Sequence, residues 1–142
     1  MKSKILVIGA GAIGGFYGAL LARQGADVSV VCRSNYHTVK KNGFAINSPD
    51  LGCWNFKPIQ VINHPKDYLG DADYVLLCSK VVADINRVEL IKEAIKPHTA
   101  IVCIQNGIGI EQELQNAFPD NELISGLAFI CCNRLKPGVI SH

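Results

Sequence analysis

Apolar and polar residues alternate along the chain in blocks that predict strands separated by helices. A short apolar run at 4–8, rich in β-branched residues, predicts a buried strand. From Ala12 to Gln24 apolar residues recur at helical spacing, and Gly25 is placed to end that helix. The run at 27–32 predicts the next strand. A strand, a helix and a second strand within about thirty residues favour parallel strands joined by a right-handed crossover.

The rest of the chain continues this alternation less regularly. Strand-like runs lie at 43–47, 53–62, 71–80, 99–107, 122–132 and 137–142, and helical spacing covers 81–95 and 109–117. Strands that alternate with helices predict an α/β protein with an open, doubly wound and mainly parallel sheet. A length of 142 residues predicts one domain, which we expect to span 1–142.

Charge and hydropathy narrow the range of partners and locations. The 14 basic and 12 acidic side chains give a net charge of +2, and the basic residues are scattered along the chain. We therefore expect neither a nucleic acid nor a membrane as partner. No apolar run approaches the ~18 residues of a membrane-spanning helix. The first apolar stretch is interrupted by glycines and lacks a small-residue cleavage site, so we expect a cytoplasmic protein.

The cysteines do not have the spacing of a metal site. None of the six forms a C-x-x-C pair, and no nearby histidines complete a zinc pattern. Cys32, Cys78, Cys103 and Cys131 lie in strand-like runs, which is typical of buried, reduced thiols. We predict no metal site.

A glycine-rich segment joins the first predicted strand to the first predicted helix. It consists of Gly9, Ala10, Gly11, Ala12, Ile13 and Gly14, which fit the pattern G-x-G-x-x-G. This context makes the pattern specific for dinucleotide binding. Gly9 permits the tight turn, Gly11 lets a pyrophosphate approach the backbone, and Gly14 lets the helix pack closely. We predict that the free N–H groups of this helix start bind a pyrophosphate.

An arginine stands where the second predicted strand ends. In NAD-specific sites, an acidic residue about twenty positions after the glycines accepts hydrogen bonds from the ribose hydroxyls. Here residues 31–34 read VCRS and contain no carboxylate. The guanidinium of Arg33 suits a ribose 2′-phosphate, to which Ser34 would add a hydroxyl donor. The predicted cofactor is therefore NADP(H).

Taken together, these residues resemble the ketopantoate reductases (2-dehydropantoate 2-reductases). The resemblance rests on GAGAIGGFYGALLARQG at 9–25, VCR at 31–33, CSK at 78–80, QNGIG at 105–109 and GLAFICCNRLKPGVISH at 126–142. It extends over essentially the whole chain, which corresponds to the amino-terminal half of a typical member. Such enzymes bind NADPH in a Rossmann domain and reduce 2-dehydropantoate, a 2-keto acid, to (R)-pantoate in pantothenate and coenzyme A biosynthesis.

The resemblance also implies roles for three further residues. Lys80 and Asn106 occupy positions that contact the cofactor or the substrate in the family. Cys132 stands where relatives carry a small alanine near the nicotinamide, so any cofactor contact there is through the backbone. The family's proton donor lies in a second, helical domain that we expect to be absent from this chain. The resemblance therefore predicts no catalytic residue in these 142 residues and little turnover by the chain alone.

This interpretation predicts an interaction surface and leaves two alternative functions open. The face that meets the second domain in the family should be apolar, which predicts a homodimer through it. A related NADP-dependent reductase of another 2-keto acid would share the same cofactor-binding half. A non-enzymatic nucleotide-sensing module would share the fold, but that class usually carries an acidic residue at the position of Arg33.

Overall fold

The structure, a computed structural model, describes residues 1–80, 86–106 and 109–142. Its strands, in chain order, are β1 (Lys4–Ile8), β2 (Asp27–Val31), β3 (Phe44–Ser48), β4 (Gly52–Phe56), β5 (Val61–Ile62), β6 (Tyr74–Leu77), β7 (Ala100–Ile104), β8 (Leu123–Gly126), β9 (Asn133–Lys136) and β10 (Val139–Ser141). Its helices are α1 (Ala12–Arg23), α2 (Tyr36–Asn42), α3 (Arg87–Ile91) and α4 (Glu111–Ala117), and 3₁₀ turns lie at Pro65–Asp67 and Lys92–Ala94.

Six strands form the central sheet in the order β5-β2-β1-β6-β7-β8, and its strand pairings are parallel. The chain builds outward from β1 in one direction through β2 and β5, and in the other through β6, β7 and β8. The strand order therefore reverses between β1 and β6, which is where doubly wound sheets bind their ligands. The predicted α/β class and its doubly wound parallel sheet are confirmed.

Strand β1, at the centre of the sheet, is apolar on both faces because both of its faces are covered. In β1, Ile5 and Val7 pack with Phe16 and Ala19 of α1. The alternate residues Leu6 and Ile8 pack on the opposite face, in a cluster that includes residues from α3 and α4. Alternate residues of one strand thus enter two separate cores, which explains the unbroken apolar runs in the sequence.

A second sheet covers the outer side of α1. Its order is β4-β3-β10-β9, with β10 parallel to β3 and antiparallel to β9. Phe44, Ile46 and Ile140 of this sheet are fully buried in the same core as Phe16. The helix approaches the sheet closely at Gly15, where an added Cβ would lie 3.1 Å from the Phe44 ring. The second sheet therefore extends the core on the α1 side.

Several predicted elements differ from the observed ones. The strand expected at 137–142 exists as β10, but it pairs in the second sheet, which was not predicted. The run at 53–62 divides into β4 and β5, which belong to different sheets. The strand expected over 122–132 ends at Gly126. Helix α2 and strand β9 were not predicted at all.

In the described residues, the helix expected over 81–95 covers only Arg87–Ile91. Residues 81–85 lie outside the described residues, as do 107 and 108 at the end of the strand expected over 99–107. In the described part, the helix begins at Arg87, where the Asn86 side chain caps it by accepting a 3.1 Å hydrogen bond from the Glu89 amide. It ends at Ile91 and continues as a 3₁₀ turn.

The part of the sheet face that α1 leaves open carries an apolar groove of about 760 Å³. Its apolar lining includes Leu20, Leu21, Tyr74, Leu76, Val102 and Ile104. The homodimer expected through the face that meets the family's second domain stays a prediction. Among the residues that the structure describes, no helix has both the length and the apolar character needed to cross a bilayer.

Candidate functional site

A cavity of about 670 Å³ opens at the carboxyl ends of β1, β2 and β6, beside the point where the strand order reverses. Four chain segments provide most of its lining: residues 9–13, 32–35, 78–80 and 132–134. Three of these follow central strands directly, and the fourth leads into β9 of the second sheet. The location is the one at which open α/β sheets bind ligands.

The glycine-rich turn provides the floor of the cavity. Gly9 has a φ of +86°, and a Cβ there would lie 2.5 Å from the Ser79 amide nitrogen, so both the turn and the close approach of the segment after β6 require glycine. A Cβ on Gly11 would meet no atom within 4 Å, because this position faces open space. Gly14 does not line the cavity; a Cβ there would collide with the Gly9 carbonyl oxygen and lie 3.1 Å from Val7 Cγ1. The three glycines thus have three different steric roles.

The start of α1 is open to an anion. Gly11 is the N-cap residue, no side chain caps the helix, and its first turn contains no acidic residue. The N–H groups of the first turn have no partner within a helix, and the helix dipole adds partial positive charge at the same end. Ala12 and Ile13, two residues of this first turn, line the cavity. The geometry suits a phosphate or pyrophosphate group.

The loop after β2 contributes Arg33, Ser34 and Asn35. Arg33 is exposed and lines the cavity. Asn35 is buried, and its side-chain amide donates a 3.3 Å hydrogen bond to the Ala10 carbonyl, which ties this loop to the glycine-rich turn. The loop is further held by Arg134, whose Nη1 donates to Ser34 Oγ at 3.1 Å and to Asn35 Oδ1 at 3.0 Å.

Sequence reasoning missed Arg134 and Asn35. Arg134 is 100 positions from Ser34 along the chain and reaches it only because β9 lies in the second sheet. Without a prediction of that sheet, no spacing in the sequence connects the two residues. Asn35 follows the predicted Arg33 and Ser34 directly, and an amide capable of both donating and accepting was the available signal.

The charges along the cavity are all positive. Its lining contains Arg33, Lys80 and Arg134, and within 1–80, 86–106 and 109–142 it contains no aspartate or glutamate. None of the three cations forms an ion pair with a carboxylate in the described part of the chain. Because the cavity also has an uncapped helix start, it suits a ligand with several negative charges.

Lys80 and Asn106 follow neighbouring strands, and a buried glutamine connects these strand ends. Gln105 donates from Nε2 to the Ser79 carbonyl and, at 3.0 Å, to Ser79 Oγ. Lys80 is exposed and lines the cavity. Asn106 is exposed at the carboxyl end of β7 and is not part of the cavity's described lining. The cavity therefore includes Lys80 but not Asn106, although both lie at the same edge of the sheet.

Three thiols contribute an apolar, uncharged part of the lining. Burial raises the pKa of Cys32 to about 12, and burial together with Cys103 raises the pKa of Cys78 to about 12. Burial also raises the pKa of Cys132, whose Sγ donates a 3.4 Å hydrogen bond to the Ala12 carbonyl. All six cysteines are free. The thiols at the cavity are thus protonated at neutral pH and are poor nucleophiles.

This difference in thiol environment predicts a labelling pattern. Treatment with iodoacetamide at pH 8 should alkylate the exposed Cys53 and Cys131 first, while Cys32 and Cys78 stay unmodified. Because the pKa values of Cys32 and Cys78 are raised to about 12, both thiols stay protonated at pH 9 and should not react there either. Peptide mass spectrometry measures the order, and denatured protein, in which all six thiols should react, is the control. Early labelling of Cys32 would contradict the described packing.

Comparison with known proteins agrees with this architecture. The family model for ketopantoate reductase PanE/ApbA matches residues 5–142. A 2-dehydropantoate 2-reductase of Nostoc sp. is 30% identical over 141 residues, which are 99% of this chain and 44% of that protein. The crystal structure of 2-dehydropantoate 2-reductase from Methylococcus capsulatus has 54% identity and a TM-score of 0.93, and covers 98% of this chain and 45% of that chain.

The corresponding structure from Geobacter metallireducens GS-15 has 36% identity and a TM-score of 0.89, with 98% of this chain and 46% of that chain covered. The chain thus spans less than half the length of these similar proteins. The resemblance expected from the glycine-rich segment and the later motifs is confirmed. Because the family model covers nearly the whole sequence, the chain belongs to the ketopantoate reductase PanE/ApbA family.

Proposed function

We propose that this chain is the NADP(H)-binding domain of an enzyme that reduces 2-dehydropantoate to (R)-pantoate in pantothenate biosynthesis. One observation carries the proposal: a single cavity combines an uncapped helix start with three cations and, among its described lining residues, no carboxylate. A dinucleotide phosphate has a pyrophosphate and a phosphate monoester, which match these two features. The names of similar proteins support the choice of substrate.

The glycine-rich turn fits the pyrophosphate part of such a cofactor. The space beside Gly11 is open over at least 4 Å, so phosphate oxygens can approach the backbone where a side chain would block them. The amides of Ala12 and Ile13 then donate hydrogen bonds to the pyrophosphate, and the helix dipole favours its negative charge. No side chain competes for these amides, because α1 has no side-chain cap.

Arg33 supports the choice of NADP(H) over NAD(H). It lies at the carboxyl end of β2, where the ribose of a dinucleotide is held in sheets of this type. A guanidinium can form two parallel hydrogen bonds to a phosphate, whereas the ribose hydroxyls of NAD(H) are better matched by a carboxylate. The described cavity lining provides the former and not the latter.

Lys80 and Asn106 are the residues placed to contact the reacting end. The Lys80 ammonium would attract the carboxylate of a 2-keto acid or bind the cofactor, and the Asn106 amide can donate and accept hydrogen bonds from the next strand end. The reduced nicotinamide would supply the hydride. We propose that the proton donor for the product alkoxide comes from a second, helical domain, so that this chain binds cofactor with little turnover of its own.

Isothermal titration of the chain with NADPH, NADH and ATP tests the proposal. We expect NADPH to bind more tightly than NADH, and ATP to bind weakly. A preference for NADH would contradict the cofactor assignment. A preference for ATP would favour a nucleotide-sensing module instead.

Replacing Arg33 with aspartate should weaken NADPH binding and leave NADH binding unchanged or improved. The loss of a charge-assisted contact to phosphate corresponds to about a tenfold to a hundredfold increase in the dissociation constant for NADPH. Titration calorimetry with both cofactors measures the ratio. Lys57→Asp, a charge reversal at an exposed residue outside the cavity, is the matched control. An unchanged NADPH-to-NADH ratio in Arg33→Asp would remove the argument for NADP(H).

A further inference from the structure

Arg134 lines the cavity, and its contacts with the loop after β2 use only part of its guanidinium. Its guanidinium comes from β9 in the second sheet and reaches the loop after β2, where Arg33 also lines the cavity. Only Nη1 forms hydrogen bonds in the described part of the chain, to Ser34 Oγ at 3.1 Å and Asn35 Oδ1 at 3.0 Å. The Nη2 and Nε donors are therefore available to a ligand. Two arginines thus line one cavity, one from the loop after β2 and one from the second sheet, and the second of them contacts Ser34, the residue that follows Arg33.

We propose that Arg134 is a second cationic ligand of the 2′-phosphate of NADP(H), a proposal that rests on the function proposed above. A phosphate monoester carries close to two negative charges at neutral pH and has three acceptor oxygens. Arg33 and Arg134 match that charge, and the Ser34 hydroxyl adds a donor. NADH has only a neutral hydroxyl at this position, so it has nothing to gain from a second guanidinium.

Two hydrogen bonds restrain the exposed Arg134 side chain before any ligand arrives. Asn35 is 3% exposed and is itself held by its hydrogen bond to the Ala10 carbonyl. The guanidinium is thus connected through Asn35 to the turn that would hold the pyrophosphate. A cation held in advance loses less conformational freedom on binding, which favours affinity. In the described residues, no carboxylate forms an ion pair with Arg134 that a phosphate would have to displace.

The proposal has a consequence for the second sheet. Because Arg134 belongs to β9, and β9 pairs with β10, a phosphate held by both arginines would connect the second sheet to the loop after β2. NADPH should then slow the exchange of backbone amides in β9 and β10 more than NADH does at equal saturation. A residue that only stabilised the fold would not make this protection depend on the 2′-phosphate.

The test compares the whole 142-residue chain with Arg134→Gln, Arg134→Lys and the control Lys136→Gln, which removes a charge from the same strand at a residue outside the cavity. Titration calorimetry with NADPH, NADH and 2′,5′-ADP gives affinities, hydrogen exchange gives the protection of β9 and β10, and circular dichroism checks folding. We expect Arg134→Gln to raise the dissociation constants of NADPH and 2′,5′-ADP by about tenfold to a hundredfold and to leave that of NADH unchanged. Arg134→Lys should lose less affinity for NADPH than Arg134→Gln does. Lys136→Gln should bind all three ligands as tightly as the parent chain does.

The outcomes separate the two proposals. If the parent chain prefers NADPH but Arg134→Gln binds it equally well, the role of Arg134 is wrong and the proposed function stands. If Arg134→Gln lowers the affinities for NADPH and NADH by the same factor, Arg134 only supports the fold, and its role as a phosphate ligand is wrong. If the parent chain shows no preference for NADPH, the proposed cofactor fails, and the role of Arg134 with it. Should Arg134→Gln not fold, Arg134→Lys and the exchange experiment on the parent chain still decide.

Discussion

Replacing Gly11 with aspartate should abolish dinucleotide binding while leaving the fold intact. A side chain at this position meets no protein atom within 4 Å, and its φ of −85° is accessible to any residue. The new carboxylate would occupy the space proposed for the pyrophosphate and would repel it across a short distance. We expect the dissociation constants of both NADPH and NADH to rise by roughly a hundredfold or more, since each loses its phosphate contacts.

Titration calorimetry measures the loss of binding, and thermal unfolding followed by circular dichroism measures the fold. Gly11→Ala is the matched variant, because it adds only a methyl group to the same open space and should weaken binding much less. An aspartate variant that binds NADPH as tightly as the parent would show that the pyrophosphate does not lie at the start of α1. A large fall in melting temperature would instead show that Gly11 is required by the fold.

Replacing Phe44 with alanine should destabilise the protein by about 3 to 5 kcal/mol. The ring is completely buried between the second sheet and α1, and it stacks on Phe56 with ring centroids 5.9 Å apart. Its removal leaves a cavity that neighbouring side chains cannot close without moving the second sheet. Because domains of this size unfold with only about 5 to 15 kcal/mol, a large share of the stability would be lost.

Urea unfolding at 25 °C measures the change in the free energy of unfolding. Ile59→Ala removes apolar atoms from a side chain that is 67% exposed, and it should change stability by no more than about 0.5 kcal/mol. If Phe44→Ala cost as little as this control, the second sheet would not pack on α1 as described. A change in the slope of the denaturation curve would indicate that the second sheet unfolds separately.

Local sequence patterns were sufficient to predict most of the central sheet. β1 and α1 lie within a residue or so of their predicted positions because apolar runs, helical spacing and the glycine at 25 are local signals. The parallel direction of the strands could be predicted because consecutive strands are joined by helical crossovers, and such connections allow few topologies. The same signals placed Arg33 at the end of β2 and the glycines at the start of α1, and the cavity forms where these elements meet.

The second sheet could not be predicted in this way. Its pairing of β3 with β10 joins residues that are far apart, such as Ser48 and His142, whose side chains lie 2.8 Å apart across 94 positions. β9 has the sequence NRLK and four exposed residues, so no apolar periodicity identifies it. Arg134 was missed for the same reason, since its contact with Ser34 depends on where that strand pairs.

The parallel pairing of β3 with β10 also affects how the chain folds while it is being synthesised. β3 and β4 leave the ribosome together and can pair at once, but the other edge of β3 stays unoccupied until almost a hundred more residues have been added. During that interval Phe44 and Ile46 lack their contact with Ile140, and an open strand edge is a site for pairing with other nascent chains. Efficient production of this protein should therefore depend on a low growth temperature or on chaperones that shield β3 until β10 has been synthesised.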